Sequence, residues 1–356
     1  MDVVEKRIGF LNFGHWQPIP GSQVRTGADA LLQTVELAQA AEELGVDGAY
    51  VRVHHFARQL SSPFPLLAAI AARTSRIEIG TGVIDMRYEN PLYMAEEAAA
   101  ADLLSAGRLQ LGISRGSPET ALRGSEAFGY VPADGSDDAE LARAKTARFL
   151  AAVAGETVVD ADPRMVGGHG GGGNGVGGRA RLAVQPQSPG LRERIWWGSG
   201  TRQTAVWTAR QGMNLMSSTL LSEDTGVPFD ELQAEQIALF RATWADAGWA
   251  HEPRVSVSRS VMPITTDEDR QYFGRERTST DQVGLLEGVR ARFGKSYAGE
   301  PDQLAEELAK DAAVRDADTL LLTVPNMLGV DYNARLLETI TRHVAPAIGW
   351  VPPAGR

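Results

Sequence analysis

The segment Gly198-Ser199-Gly200-Thr201-Arg202-Gln203-Thr204 gathers small residues, two threonine hydroxyls and a guanidinium where an apolar run gives way to a helical pattern. Free N–H groups at a helix start, glycines that permit close approach and an arginine together suit a phosphate. Arg115 ends another apolar run and is placed to clamp the same anion with two parallel hydrogen bonds. The plainer reading is a strand–helix turn with a threonine N-cap. The segment is not a dinucleotide fingerprint, because Gln203 stands where the third glycine of G-x-G-x-x-G belongs. Nor is it a Walker loop, since no G-K-[ST] follows. His54 and His55 are adjacent, so on a strand they point to opposite sides, one toward the site and one into the surrounding shell. The inward one is a candidate proton carrier. No metal site is expected: the chain has no cysteine and no H-x-x-x-H or H-x-H pair.

A second motif competes. Gly112-Ile113-Ser114-Arg115-Gly116 fits the G-x-S-x-G nucleophile elbow, His169 begins a glycine string like an oxyanion-hole motif, and His343 could close a triad. In hydrolases of that type the string precedes the nucleophile, whereas here it trails Ser114, inside a tract so rich in glycine that a match carries little information. His343 falls within an amphipathic helical pattern instead of a loop, so a serine hydrolase is disfavoured.

The elements that must position these residues alternate in type. Strands are expected over 8–13, 46–53, 77–84, 109–114, 194–197, 213–217, 254–261 and 319–324. Helices are expected over 30–44, 91–104, 139–153, 203–211, 230–247, 302–313 and 333–343. Strands that alternate with helices pair in parallel, because a parallel connection must cross over. Runs such as LLLTV, apolar nearly throughout, belong to strands covered on both faces. Eight such units predict an α/β fold, a closed (β/α)8 TIM barrel with insertions after strands, forming one domain over 1–356. Two segments interrupt the rhythm. Residues 167–178 (GGHGGGGNGVGG) predict a surface loop or a lid, and 263–298, rich in Arg, Asp and Gly, predict helices and loops after the seventh strand.

Composition sets outer limits. The chain has 356 residues, no cysteine and a formal net charge of −10. These values exclude a disulfide scaffold, thiolate metal sites and a cysteine nucleophile, and argue against a protein that grips nucleic-acid phosphates. With no run of about 18 apolar residues, and with charges in MDVVEKRIGF where an export signal needs apolar residues, a soluble cytoplasmic protein is expected.

Several stretches share a known pattern. Gly45-Val46-Asp47-Gly48 through Val53-His54-His55-Phe56 resembles a "G-D…E-H-H-F" segment, and Ala71-Ala72-Arg73-Thr74 through Ile79-Gly80-Thr81-Gly82-Val83 resembles "A-A-x-T…I-x-L-G-T-G-V". Asn90-Pro91, Ala95-Glu96-Glu97, Asp102-Leu103-Leu104-Ser105, Gly107-Arg108-Leu109 and Gly112 to Gly116 continue the pattern, as does Ala298 to Leu304 later on. Together they are similar to the bacterial luciferase-like flavin-dependent monooxygenases.

That resemblance implies a barrel that binds reduced FMN, with the deazaflavin F420 as the alternative, at the strand C-termini. It assigns Thr81, Gly82, Val83, Arg115, Gly200, Thr201 and Thr204 to the cofactor, with Arg202 as a neighbouring contributor, and it puts a non-prolyl cis peptide at Gly82–Val83. His54 matches the histidine near the reacting flavin edge. Two departures bear on substrate chemistry: Val53 replaces the acidic residue before the histidine pair, and Ser114 stands where bacterial luciferase has cysteine. The V-H-H-F context favours FMN over F420. The expected activity is that of a two-component monooxygenase, using dioxygen and reduced FMN from a separate flavin reductase to oxidise a small, largely apolar substrate. The other readings are an F420-dependent hydride-transfer enzyme and a non-catalytic flavin-binding barrel. Phe13, His15, Trp16, Met86, Tyr88 and Met216 are expected to wall the substrate space, and a homo-oligomer, most simply a dimer, is expected.

Overall fold

A computed structural model describes residues 6–116, 121–133, 135–166, 180–223, 225–286 and 289–353. Eight strands run β1 (Arg7–Asn12), β2 (Gly48–Val51), β3 (Glu78–Asp85), β4 (Leu109–Ser114), β5 (Ile195–Ser199), β6 (Asn214–Ser217), β7 (Val255–Arg259) and β8 (Thr319–Thr323). All pair in parallel with their chain neighbours, and β8 returns to β1, so the sheet closes as a barrel. Helices α1 (Gly27–Glu43), α2 (Pro63–Arg73), α3 (Pro91–Leu104), α4 (Asp138–Val153), α5 (Arg202–Arg210), α6 (Phe229–Ala247), α7 (Pro301–Lys310) and α8 (Val330–Thr339) supply the crossovers. The expected α/β barrel is the observed one. The spacing did not single out α2, which opens on Pro63 at a position where a missing N–H costs nothing.

Local chemistry sets the helix ends. Thr26 and Asp29 form a reciprocal capping box on α1, Asp137 and Glu140 do the same on α4, and Gly45, at φ +85°, turns the chain after α1.

Alternate strand residues face outward against the helices, among them Ile8, Phe10, Ile79, Leu111, Val257 and Leu322, and these are buried. The inward set is Leu11, Tyr50, Trp196, Met216 and Leu321. These side chains fit because four strands place a glycine, Gly9, Gly48, Gly80 and Gly112, at a neighbouring inward position. A Cβ on Gly80 would lie 2.3 Å from the Gln110 carbonyl and 2.7 Å from the Tyr50 ring, and one on Gly112 would lie 2.2 Å from the Thr81 carbonyl and 2.9 Å from Met216 Sδ. Below this layer Glu78 accepts from Arg254 Nη1 at 2.9 Å, with Arg7 and the Tyr50 hydroxyl also donating to it, and Trp196 Nε1 donates to Gln110 Oε1 at 2.9 Å. The barrel interior is therefore filled at its base.

The 263–298 stretch departs from expectation. It holds a helix (Asp267–Phe273), an antiparallel hairpin (Gln282–Leu286 with Val289–Phe293) and a short strand (Tyr297–Gly299) paired with Val261–Pro263. The hairpin also pairs with Leu220–Leu221, just after β6, so its strands are stabilised by a partner some seventy residues away that composition does not reveal. The 167–178 segment lies outside the described residues. Among the described residues no helix is long and apolar enough to cross a membrane.

One buried ion pair anchors β7. Arg259 donates to Asp311 through Nε at 2.7 Å and Nη2 at 3.0 Å, Tyr297 Oη adds a bond of 2.6 Å, and both charged side chains are almost fully enclosed. Asp311→Ala strands the guanidinium and is expected to cost about 3–5 kcal/mol in urea unfolding. Tyr297→Phe, which removes one bond only, is expected to cost about 1 kcal/mol.

Candidate active site

A cavity of about 310 Å³ opens at the C-terminal ends of the strands, where barrels of this kind place reacting groups. Its wall on the β4–β6 side carries Arg115, Gly200, Thr201, Thr204, Ser218 and Ser222, joined by Arg143 from α4. Thr201 caps α5: its Oγ1 accepts from the Thr204 amide at 3.1 Å and donates to Thr204 Oγ1 at 2.8 Å. The Arg202 amide is likewise taken, donating to Glu223 Oε2 at 2.9 Å. Two of the helix's first N–H groups thus already have protein partners. The grip this wall offers an anion comes from hydroxyls and guanidinium groups more than from the bare helix end. Gly200 lies against the segment after β6, its carbonyl accepting from Ser222 N at 3.0 Å, and this contact brings Ser222 to the same wall.

The floor is built by an irregularity in β3. The pairing with β4 shifts register between Thr81 and Ile84, and the Gly82–Val83 peptide bond is cis. Val83 faces the cavity beside Gly198, where a Cβ would sit 3.2–3.4 Å from Ser114 and Val83. Thr81 lies beneath, fully buried, its hydroxyl donating to the Gly112 carbonyl at 2.7 Å and accepting from the Gly112 amide at 3.0 Å. Gly82 packs on Leu11.

Across the mouth, β2 ends at Val51, so both histidines sit in the loop beyond the strand and not on it. They still diverge as adjacent residues should. His54 lines the cavity, while His55 stacks on Tyr88 at 4.2 Å. Burial, followed by the charges of Arg52, His15 and His55, pushes the His54 imidazole down to about 4, so it is neutral at pH 7 and can accept a proton. Asp85 also lines the cavity. Burial pushes its carboxyl up, against the pull of Arg87, which binds it through Nε and through Nη2 at 2.6 Å.

The remaining expected residues lie elsewhere. Arg202 is outside the cavity lining and is ion-paired with Glu235 at 2.8 Å and Glu223 at 3.5 Å. None of the six expected substrate-wall residues lines the cavity. Met86 and Tyr88 are turned into the shell by a 3-10 turn, Met216 belongs to the barrel's inner layer, Phe13 and His15 stack on each other, and Trp16 packs under Arg58. Ser114 accepts from Gly116 N at 2.8 Å, and His343 lies in the π-helical segment Ile340–Val344 that continues α8, toward the opposite end of the barrel, so no triad forms. Arg52, Arg143, Trp197, Leu220, Ser222 and Ala291 line the cavity without having been singled out from sequence. Arg52 carried a usable signal: in an extended segment it shares a side with His54, two residues on.

The mouth of this parallel eight-stranded barrel thus sets hydroxyls and guanidinium groups opposite a neutral imidazole. The family model for luciferase-like monooxygenases matches residues 10–272, and the chain belongs to that family. Uncharacterized protein YwcH of Bacillus subtilis (strain 168) is 41% identical over 98 residues, 27% of this chain and 29% of that protein. The oxygenase component of the flavin-dependent trigonelline monooxygenase of Acinetobacter baylyi is 34% identical over 87 residues, 24% of each chain. These alignments thus span under a third of either relative. The oxygenating constituent of 3,6-diketocamphane monooxygenase from the CAM plasmid of Pseudomonas putida, solved with FMN, superposes with a TM-score of 0.66 at 16% identity, covering 99% of this chain and 100% of that one. At that identity the likeness shows the shared fold.

The depressed His54 value has a measurable sign. The unfolded imidazole takes a proton near pH 6.5 and the folded one near 4. Stability is expected to fall as pH drops through that window, and an NMR titration should show His54 neutral down to about pH 5. A midpoint near 6.5 would place the imidazole in open solvent.

Proposed function

We propose that this chain is the oxygenating component of a two-component monooxygenase, taking reduced FMN from a separate reductase and using dioxygen to oxidise a small organic substrate. One observation carries the reading: a single cavity holds four hydroxyls and two guanidinium groups on one wall and a neutral imidazole on the other. The residues fit the cofactor. Thr204, oriented by Thr201, offers a hydroxyl hydrogen bond to a phosphate, as do Ser218 and Ser222, and Arg115 and Arg143 neutralise its two charges. Gly198 and Val83 leave a side-chain-poor floor for a flat ring. Reduced flavin, when bound, supplies the two electrons with which dioxygen is activated. The protein's own tasks are to hold the tail, exclude water with Leu220, Trp197 and Ala291, and move a proton at His54.

Anaerobic titration with FMN, reduced FMN and F420, read by fluorescence or calorimetry, tests the assignment; tight F420 binding, or no flavin binding, overturns it. Arg115→Ala is expected to weaken reduced FMN by about 1.5–3 kcal/mol, the loss of a charge-assisted hydrogen bond. His54→Ala is expected to leave flavin affinity near normal while slowing substrate-dependent oxygen uptake about a hundredfold or more.

A further inference from the structure

Arg143 joins the phosphate wall from a helix and not from a strand end. It sits on α4, whose buried face carries Ala142, Thr146, Phe149 and Leu150. Arg143 lies off that face, and its side chain reaches the cavity by its length. The helix itself is well fixed: Asp138 pairs with Arg87 at 2.8 Å, and Lys145 Nζ donates to the Arg87 carbonyl at 2.7 Å. Neither contact orients the Arg143 side chain, whose type has much rotamer freedom to lose. A second helix does so. The guanidinium carbon lies over the Trp207 ring, 5.4 Å from its centre. Trp207 stands on α5, three residues after Thr204, so one helix face presents the Thr204 hydroxyl to the cavity and the indole to the guanidinium. The indole is itself held edge-to-face against Trp197 of β5, the ring centres 4.8 Å apart and the planes at 64°. Trp197 is buried and lines the cavity. A chain of contacts thus runs from the cavity wall through two indoles and returns to the wall at Arg143. The contact with the indole takes up the flat face of a guanidinium, whereas its hydrogen bonds leave from the edge.

We infer that Trp207, which stands outside the cavity lining, is a positioning residue that aims Arg143 at the anionic tail of the ligand. The inference rests on the flavin-dependent reading above and deepens it, because it makes the phosphate grip a joint product of two helices linked by one indole. Arg143 then meets the phosphate with its side chain already ordered, so less conformational freedom is lost on binding. Trp207 makes no contact with the ligand, and its effect passes through Arg143.

The test compares FMN with riboflavin, which lacks the phosphate, both reduced and titrated anaerobically by calorimetry. The parent is expected to prefer FMN by about tenfold or more. Trp207→Leu should weaken FMN about threefold to tenfold and leave riboflavin within about twofold of the parent. Trp207→Phe, which keeps a ring face, should fall between the two. In an Arg143→Gln background Trp207→Leu should cost nothing further. Thermal unfolding checks that each variant folds. Equal losses for FMN and riboflavin overturn the inference by showing a merely structural role. So do an undiminished FMN affinity in Trp207→Leu, a loss that persists at full size without Arg143, and a parent that does not distinguish FMN from riboflavin. A further measurement needs no Trp207 variant: the Arg143 Nε–H resonance of the flavin-free parent, assigned by its disappearance in Arg143→Gln, should move on addition of inorganic phosphate. A resonance indifferent to phosphate overturns the inference. If the parent binds no flavin, yet binds inorganic phosphate about threefold or more tighter than Trp207→Leu does, the flavin reading falls and the positioning role stands. Binding of neither flavin nor phosphate overturns both.

Discussion

Closing eight parallel strands into a ring leaves an interior that must be filled, and how this chain fills it governs where a ligand can go. Large side chains, Tyr50, Trp196 and Met216, occupy the middle of the barrel, and they fit because Gly9, Gly48, Gly80 and Gly112 yield the neighbouring inward positions. Glu78, bound by Arg7 and Arg254, seals the base with an ion cluster. With the base and middle packed, the concave space lies at the top, and the strand ends decide what faces it.

The register shift in β3 is where filling and function meet. Thr81 spends its hydroxyl straddling the Gly112 backbone, which stitches β3 to β4 where regular pairing lapses. Two residues later Val83 faces the cavity instead of the shell. Electrostatics then divides the mouth. Guanidinium groups sit on opposite walls, an imidazole is kept neutral by burial and by a neighbouring cation, and the lone lining carboxylate among the described residues is neutralised by Arg87. Such a site sets hydroxyls and guanidinium groups across the mouth from an uncharged imidazole.

Much of this was legible from residue order. The bounds of α3 and β4 coincide with those read from periodicity, because Pro91 and Asn90 mark one start and a short apolar run flanked by Arg108 and Arg115 marks the other. Gly200, Thr201, Thr204, Arg115 and His54 share one cavity, as strand-end positions in such a barrel should. Less legible were features that depend on a distant partner. Arg202 stands in the phosphate-binding segment yet spends its charge on Glu223 and Glu235, and Met86 and Tyr88 follow a strand end yet are turned back by a 3-10 turn.

Sequence by itself determined the class of fold and the chemical character of each strand end, since period, caps and local residue types are properties of neighbouring residues. Tertiary structure alone decided which of those ends share a cavity, which charges are already spent, and that Ala291, from a hairpin paired to Leu220–Leu221, completes the wall. Those outcomes turn on contacts between residues tens to hundreds of positions apart, and no local pattern encodes the partner of a side chain across a closed ring.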